Sequence, residues 1–543
     1  MERGGVASQG FPFYNNPTMT KLDCLFLHVP RRFSDSPSFH RFLWTNFLPM
    51  ELLGVADLIQ RQGVCTQIIH LGVERIADRN FSILSYLEEK RPRVIFLDLH
   101  WHHQSFGVIE AAREIKSAFP KIHLFLGGLT ASFFHEEILK SFDAVDGIIR
   151  GEAEIPTQEL TGTLLQGKED FFSIPNLTWR RKGRVLVNPL SYVASEQDLN
   201  GLTFTNFPLL KNYPTYVRHA ALPFYTHGFS RRKNLWLSSM KTPVFQLPIG
   251  RGCPVQCTWC GGGIPNQQTI SGRREVVFRG REEVIQSMKD ALSRGYEAFH
   301  ISFDPHPQNP DYYLRLFASI REERLGVDCC FEAYGLPTLD FIKAFKETFP
   351  GPESRVALSP DVGSGRVRKF HKGHAYSNRA LLESLRQMEE HQVSCDLFFT
   401  VGVPFETEED IDQTIRFQKE IGRRFSNVKE VRTFTIEIEP GSPWHLDPET
   451  YGVKTSLRNF MDFYRYHSGE GSPVSSLGYW IPGCIPDVND EKGFEKALQK
   501  IACRHLGLIH RPPRTLSVPF WEKWRYDLSQ LVWKVRGWVG KKA

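Results

Sequence analysis

Three cysteines, Cys253, Cys257 and Cys260, stand within eight residues in QLPIGRGCPVQCTWCGGG (246–263). Thiolates hold iron–sulfur clusters, and a Cys-x3-Cys-x2-Cys loop can wrap three irons of a cubane. A structural zinc site closes with four ligands, and the next histidine after the triplet is His300. Three donors without a fourth leave one iron open to a small molecule; zinc-binding or fortuitous cysteines are the alternative. A second group is DLHWHHQSFG (98–107), where His100, His102 and His103 crowd one stretch. Neutral imidazole is a common metal ligand. A third is KIHLFLGGLTAS (121–132), in which Gly127 and Gly128 would let a ligand approach the backbone closely and Thr130 and Ser132 supply hydroxyls. Arg150-Gly151-Glu152 follows twenty residues later, in a run that starts at Asp146-Gly147.

These groups have to be carried by elements, and the chain alternates strand-like with helix-like stretches. Apolar runs at 22–29, 64–71, 91–100, 121–128 and 144–151 read as strands, with helices near 49–61, 80–90, 107–118 and 134–141. That alternation predicts a doubly wound parallel sheet, which binds ligands beyond the carboxyl ends of its strands. The histidine and Gly-Gly stretches fall there. A second series has strands at 244–249, 297–303, 327–333, 354–359, 393–402 and 428–438, with helices near 281–294, 310–324, 338–348, 379–391 and 407–421. Six strand–helix units predict a partial (β/α)6 barrel, with the cysteines at the rim where such barrels react. The expected organisation is a tail (1–20), a doubly wound Rossmann-like α/β domain (21–170), a connecting region (171–243), a barrel (244–440) and a C-terminal cap (441–543).

Composition narrows the function. Of 543 residues, 41% are hydrophobic and 24% charged, values of a globular chain with sizeable cores. Lys plus Arg number 67 against 61 Asp plus Glu, and a net charge of +6 over this length is too dilute to imply a nucleic-acid partner. No apolar run reaches the roughly 20 residues of a bilayer span, and the N-terminus lacks the apolar stretch of a secretory signal. The expected location is the cytosol, where clustered thiols bind metal rather than pair as disulfides.

The Cys-x3-Cys-x-aromatic-Cys pattern, with Trp259 before the third cysteine, resembles the radical S-adenosylmethionine enzymes, and the resemblance covers residues 244–440. It implies a [4Fe-4S] cluster whose open iron is chelated by S-adenosylmethionine, cleaved to methionine and a 5′-deoxyadenosyl radical. GVPFETEED (402–410) resembles the family's segment after the fifth strand, with Thr407 as helix cap. Ser359, in RVALSPDVGSGRVRKFHKG, resembles the position that meets the ribose or carboxylate of S-adenosylmethionine; a turn role is the alternative. The family's Gly-Gly-Glu after the second strand is replaced by HISFDPHP (300–307), where Ser302 or Asp304 could substitute.

Residues 121–160 resemble the cobalamin-binding domain found before many such barrels. The resemblance implies that Gly127, Gly128, Thr130, Ser132, Gly151 and Glu152 contact cobalamin. The Asp-x-His-x-x-Gly cobalt-ligating motif is absent, so His102 or His103 is the candidate lower-face contact to cobalt, beside a reading in which these histidines touch water or corrin amides. Together the halves imply methylation of an unactivated carbon in a small-molecule or lipid-like substrate, with an external reductant such as flavodoxin or ferredoxin. Rearrangement, ring contraction or cyclisation without methyl transfer is the alternative, and a non-catalytic corrinoid-binding protein a third reading. Within the cap, EIEPGSPWH (437–445) suits either a pocket lining or ordinary packing. PFWEKWRYDLSQLVWKVRGWVGKKA (519–543) reads as a basic aromatic helix, suited to peripheral membrane contact or to docking on the protein itself.

Overall fold

The computed structural model describes residues 21–30, 50–78, 80–218, 243–468 and 478–506. The basic aromatic segment 519–543 lies outside the described residues. No described helix is long and apolar enough to cross a membrane.

Strands β1 (Cys24–His28), β2 (Thr66–His70), β3 (Val94–Asp98), β4 (His123–Gly127) and β5 (Gly147–Ile149) run parallel in the order β2-β1-β3-β4-β5. Their side chains sort by parity. Cys24, Phe26, Val94, Phe96 and Phe125 enter one apolar cluster, whereas Leu25, Leu27, Ile95, Leu97, Leu124 and Leu126 enter another. Successive strand residues point to opposite faces, and a sheet apolar on both must be covered on both. The order reverses direction between β1 and β3, so the ligand crevice of such a sheet opens at their carboxyl ends.

The sheet does not end near residue 170. It continues through β6 (Leu177–Arg181) and β7 (Arg184–Val187), both antiparallel, inside the stretch expected to be a connector. Lys182 (φ 48°) and Gly183 (φ 75°) make the two-residue turn between them. Two successive positive φ values are the hairpin geometry that Asn-Gly or Asp-Gly signals best, and Lys-Gly is a poorer cue.

The second sheet starts with β8 (Val244–Gln246). A small hairpin follows, β9 (Gly250–Arg251) with β10 (Val277–Phe278), then β11 (Ala298–Ile301), β12 (Asp328–Ala333), β13 (Arg355–Asp361), β14 (Ser394–Thr400) and β15 (Val428–Phe434). The six long partners are all parallel, in the order β15-β14-β13-β12-β11-β8. Helices Arg281–Ser293, Asp311–Glu322, Leu339–Thr348, Asn378–Glu390 and Glu408–Arg424 connect them. Phe299, Ile301, Cys329, Phe331, Cys395, Leu397 and Phe399 join the apolar cluster shared with these helices. The alternate residues His300, Glu332 and Asp396 are left for the other face, a polar interior. Thr338, Ser377 and Thr407 cap three of the helices. At Thr407 the cap is reciprocal with Asp410, as the acidic run after it suggests.

After the barrel, helix Phe460–Ser468 packs against the first domain's helix Ser105–Ala118, where the Tyr464 hydroxyl donates to Glu110 at 2.7 Å. The C-terminal region therefore buttresses the first domain as well as the barrel.

Candidate functional site at the domain junction

The cysteine loop and the helix Ile264–Ser271 after it lie between β9 and β10, so a hairpin closes both ends of a stretch whose cysteine-bearing part, 252–263, is neither helix nor strand. Cys253, Cys257 and Cys260 are half-buried free thiols. Burial pushes all three above the usual thiol range, Cys260 furthest. Two backbone N–H groups donate to their sulfurs at 3.2 Å, Gly373 to Cys257 and Gly262 to Cys260. Thiolates bound to iron would receive the same two donors, and hydrogen bonds to sulfur tune such clusters. Donor type, number and support all fit a three-cysteine cluster.

The loop is held from outside. Thr258, between two of the cysteines, accepts from Trp444 Nε1 at 3.0 Å and donates to His371 Nδ1 at 2.6 Å. His371 Nε2 then donates to the Pro404 carbonyl at 2.7 Å. Burial lowers the His371 pKa to about 4, in keeping with a neutral ring that accepts on one nitrogen and donates from the other. The Gly261 N–H donates to Glu439 Oε2 at 2.8 Å, and a Cβ on Gly261 would overlap the Pro440 carbonyl oxygen. A Cβ on Gly373 would come within 2.7 Å of Val255 Cβ. Segment 437–445, read as pocket lining or ordinary packing, is in fact a brace for the cysteine loop, and its partners are recruited from about 180 residues away.

Trp259 rests against the rings of His371 and Trp444, at 6.1 and 6.2 Å. At the end of β11, Ser302 is exposed and its carbonyl accepts from Tyr334 OH at 2.8 Å. Asp304 is buried, accepts from Tyr334 N at 3.0 Å, and has its pKa raised to about 7 by burial. Ser359 is half-buried on β13, on the same strand face as Arg355 and Ala357. Sequence reasoning missed the row beneath them. His300 lies 2.5 Å from Gln246 Oε1 and 3.0 Å from Glu332 Oε1, linking β8, β11 and β12 across the interior. Polar residues at alternate positions of otherwise apolar strands were the available signal.

The first domain's residues have more varied roles. Gly128 (φ 102°) is required by the protein itself, because a Cβ there would sit 2.7 Å from His100 Cα. Thr130 Oγ1 donates to the His100 carbonyl at 2.9 Å, and Ser132 Oγ donates to the Gly128 carbonyl at 2.7 Å and accepts from Gly151 N at 2.8 Å. Both hydroxyls, expected to serve a corrinoid, tie three strand-end loops together, Thr130 by donating to His100 and Ser132 by accepting from Gly151. A Cβ on Gly151 would lie 2.5 Å from Ser271 Cα, so this glycine admits the helix Ile264–Ser271 that follows the cysteine loop. Gly127 has only the Ile149 carbonyl oxygen near its missing Cβ, at 3.8 Å. Glu152 holds the two domains together. It pairs with buried Arg273 through Nε and through Nη2 at 2.8 Å, and with Arg251 at 3.1 Å. It also accepts from Ala194 N at 2.9 Å.

At the crevice between β1 and β3, His28 Nδ1 lies 2.7 Å from Asp98 Oδ2. His28 Nε2 and Asp98 Oδ1 are buried and have no hydrogen-bond partner among the described residues. Orphaned polar atoms at the switch point of a doubly wound sheet fit a domain that takes a polar ligand there. Neither residue was singled out by sequence; the signal was a His and an Asp closing two adjacent strands. His102 and His103 sit farther along the same loop and meet barrel and C-terminal residues: His102 Nδ1 is 2.9 Å from His467 Nε2, and His103 Nε2 is 2.8 Å from Glu437 Oε2.

Comparison with known proteins agrees with this arrangement. Residues 46–161 match the B12 binding domain and residues 247–417 the radical SAM superfamily. An uncharacterised methyltransferase of Pyrococcus horikoshii is 23% identical over 389 residues, covering 70% of this chain and 72% of that protein. The hopanoid C-3 methylase of Methylococcus capsulatus is 31% identical over 248 residues, 45% of this chain and 41% of that protein. Among solved structures, the radical S-adenosylmethionine methyltransferase TsrM of Kitasatospora setae, with cobalamin and a [4Fe-4S] cluster bound, superposes with a TM-score of 0.65 at 13% identity, covering 92% of each chain. The cobalamin-dependent radical enzyme OxsB gives 0.55 at 13% identity, over 82% of this chain and 57% of that one. With a thiol loop built for a cluster on one side of the junction and a sheet-end crevice on the other, the chain belongs to the cobalamin-dependent radical S-adenosylmethionine enzymes, whose cofactors are a [4Fe-4S] cluster, S-adenosylmethionine and cobalamin.

Proposed function

We propose that this enzyme methylates an unactivated carbon of an apolar, lipid-like small molecule. The observation that carries the reading is the direct seating of the cysteine loop's own helix, Ile264–Ser271, on the strand-end loops of the first domain at Gly151, with Glu152 tying both to Arg251 and Arg273. A radical and a methyl donor have to act on one carbon at near-contact distance, and a seam that joins the cysteine loop's helix to the first domain's strand-end loops supports such a meeting. When bound, the cluster with S-adenosylmethionine supplies a carbon-centred oxidant and cobalamin supplies a methyl group.

The chain's own residues then divide the work. Cys253, Cys257 and Cys260 hold the cluster, and Gly262 and Gly373 support the sulfurs by hydrogen bonds. Trp259, Ser302, Asp304 and Ser359 would line the S-adenosylmethionine site, with Ser302, Asp304 and Ser359 receiving its polar groups. Asp304, with a pKa raised to about 7, can meet an amino group as an acceptor or hold a proton when none is bound. Gly127 gives the corrinoid side its open backbone, and Gly128, Thr130, Ser132 and Gly151 shape it by keeping the loops closed on each other. The likeness to hopanoid C-3 methylase, at 31% identity, supports a lipid-like substrate. Electrons come from an external carrier of the flavodoxin or ferredoxin class, in a cytosol that keeps the thiols reduced.

The test uses anaerobically reconstituted protein with cobalamin, reductant and S-adenosylmethionine. A bound corrinoid spectrum with both 5′-deoxyadenosine and S-adenosylhomocysteine is expected, and methyl-labelled S-adenosylmethionine should pass its label to an extracted lipid fraction. Corrinoid with 5′-deoxyadenosine alone, repeated on the true substrate, would replace methylation by rearrangement or cyclisation.

A further inference from the structure

The histidine cluster beyond the crevice has a composition the reaction does not use. His102 and His103 come from the loop after β3, Glu437 from the segment after β15, and His467 from helix Phe460–Ser468. More than 300 residues of chain separate the first pair from the other two, yet the described structure closes all four on one point. One ligand atom from each of His102, His103 and Glu437 lies within 4.8 Å of the others. The side chains are 3%, 21% and 11% exposed.

We propose that His102, His103 and Glu437 form a site for one divalent cation of the zinc class, distinct from the cluster and from cobalamin. Two imidazoles and one carboxylate suit Zn²⁺, which binds nitrogen and oxygen at about 2.0–2.2 Å in tetrahedral geometry. Ligand atoms around such an ion stand ~3.3 Å apart by that geometry. Glu437 Oε2 is 3.9 Å from His102 Nε2 and 2.8 Å from His103 Nε2, so shifts of about half an ångström bring both to the required spacing. The two rings are already stacked, with centroids 4.1 Å apart.

His467 completes the arrangement from behind. A metal-bound histidine engages a partner through its other ring nitrogen, which fixes the tautomer and aims the ligating atom. The 2.9 Å contact between His102 Nδ1 and His467 Nε2 is that interaction, and it directs His102 Nε2 at Glu437. His467 is a positioning residue, and three protein ligands leave a fourth place for water. The ion would pin the corrinoid-side loop to the end of the barrel and to the C-terminal helix. His102 and His103 are thereby assigned to this ion rather than to cobalt.

The experiment measures metals in anaerobically prepared holoenzyme after Zn²⁺ titration and removal of free ion, beside the corrinoid spectrum and the iron content. Wild type should hold one zinc per chain. Glu437→Gln and His103→Gln should lose it, and His467→Gln should bind zinc about 10–100-fold more weakly, all with iron and corrinoid spectrum unchanged. Wild type that takes up no zinc overturns the proposal, as does zinc retained in both ligand variants. A corrinoid spectrum altered in His103→Gln also overturns it, by returning the histidine to cobalt. Zinc content is read without any product, so the methylase reading can fail while this one stands, and the reverse.

Discussion

The two parallel sheets use opposite side-chain logic. In the first, both faces are apolar, and β1, β3 and β4 divide their residues between two apolar clusters. Polar chemistry is confined to the ends of the strands and the loops beyond them. In the barrel only the outward face is apolar, and the other carries Gln246, His300, Glu332 and Asp396. A barrel can therefore build a site from strand positions, rigid and spaced by the ladder. An open sheet has to borrow its site from loops, which must themselves be held. That is why so many residues expected to touch a ligand in the first domain are occupied in holding loops: Gly128 and Thr130 on His100, Ser132 on Gly151, Glu152 on Arg273.

The strongest break falls on the barrel side alone. Cys257→Ala should abolish the cluster, with iron near zero and no 5′-deoxyadenosine, while the corrinoid spectrum persists. Loss of both cofactors together would mean that the domains fold as one unit.

The tie between the sheets is the next target. Glu152→Ala leaves Arg273 buried without its carboxylate, and removing one partner of a buried pair costs roughly 3–5 kcal/mol. The midpoint of denaturant unfolding should fall accordingly, and corrinoid affinity should fall with it. A change under about 1 kcal/mol would show that the pair is mere surface decoration.

A matched pair of glycine substitutions then sharpens the contrast. Gly128→Ala forces a side chain into φ 102° and against His100, whereas Gly261→Ala collides with Pro440. Each should cost about 2 kcal/mol or more. The first should weaken corrinoid uptake at intact iron content, and the second should lower iron content with corrinoid uptake intact.

The smallest effect concerns Glu406, after β14. Burial raises its pKa to about 8, although Gly402 N and Val403 N donate to it at 2.7 and 3.2 Å. An unfolded glutamate releases its proton near pH 4.3. Between that pH and about 8 the folded chain keeps a proton that the unfolded chain has lost, so stability falls as pH rises through this window. Glu406→Gln removes that dependence. Unfolding compared at pH 6 and pH 8 should show wild type losing on the order of 1–2 kcal/mol more than the variant.

Both sheets were legible because strand parity and helix length are written in consecutive residues, and the expected strands from 22–29 to 428–438 meet observed ones within a few positions. The hairpin Leu177–Val187 was not, since its turn is Lys-Gly and its strands are short. The cysteine triplet was legible for the same local reason. What braces it was not: Trp444 on Thr258, Glu439 on Gly261 and Gly373 on Cys257 are contacts across more than 100 residues.

The residue order alone thus determined which thiols lie together, which strands alternate with helices, and that two ligand-binding frames stand in tandem. These follow from spacing along a chain of fixed geometry. Only the tertiary structure decided that Glu152 joins the domains, that His28 and Asp98 close the crevice, and that His102, His103, Glu437 and His467 converge. Those outcomes depend on how two closed sheets dock, and docking is set by the shape of whole packed faces, which no short stretch of sequence contains.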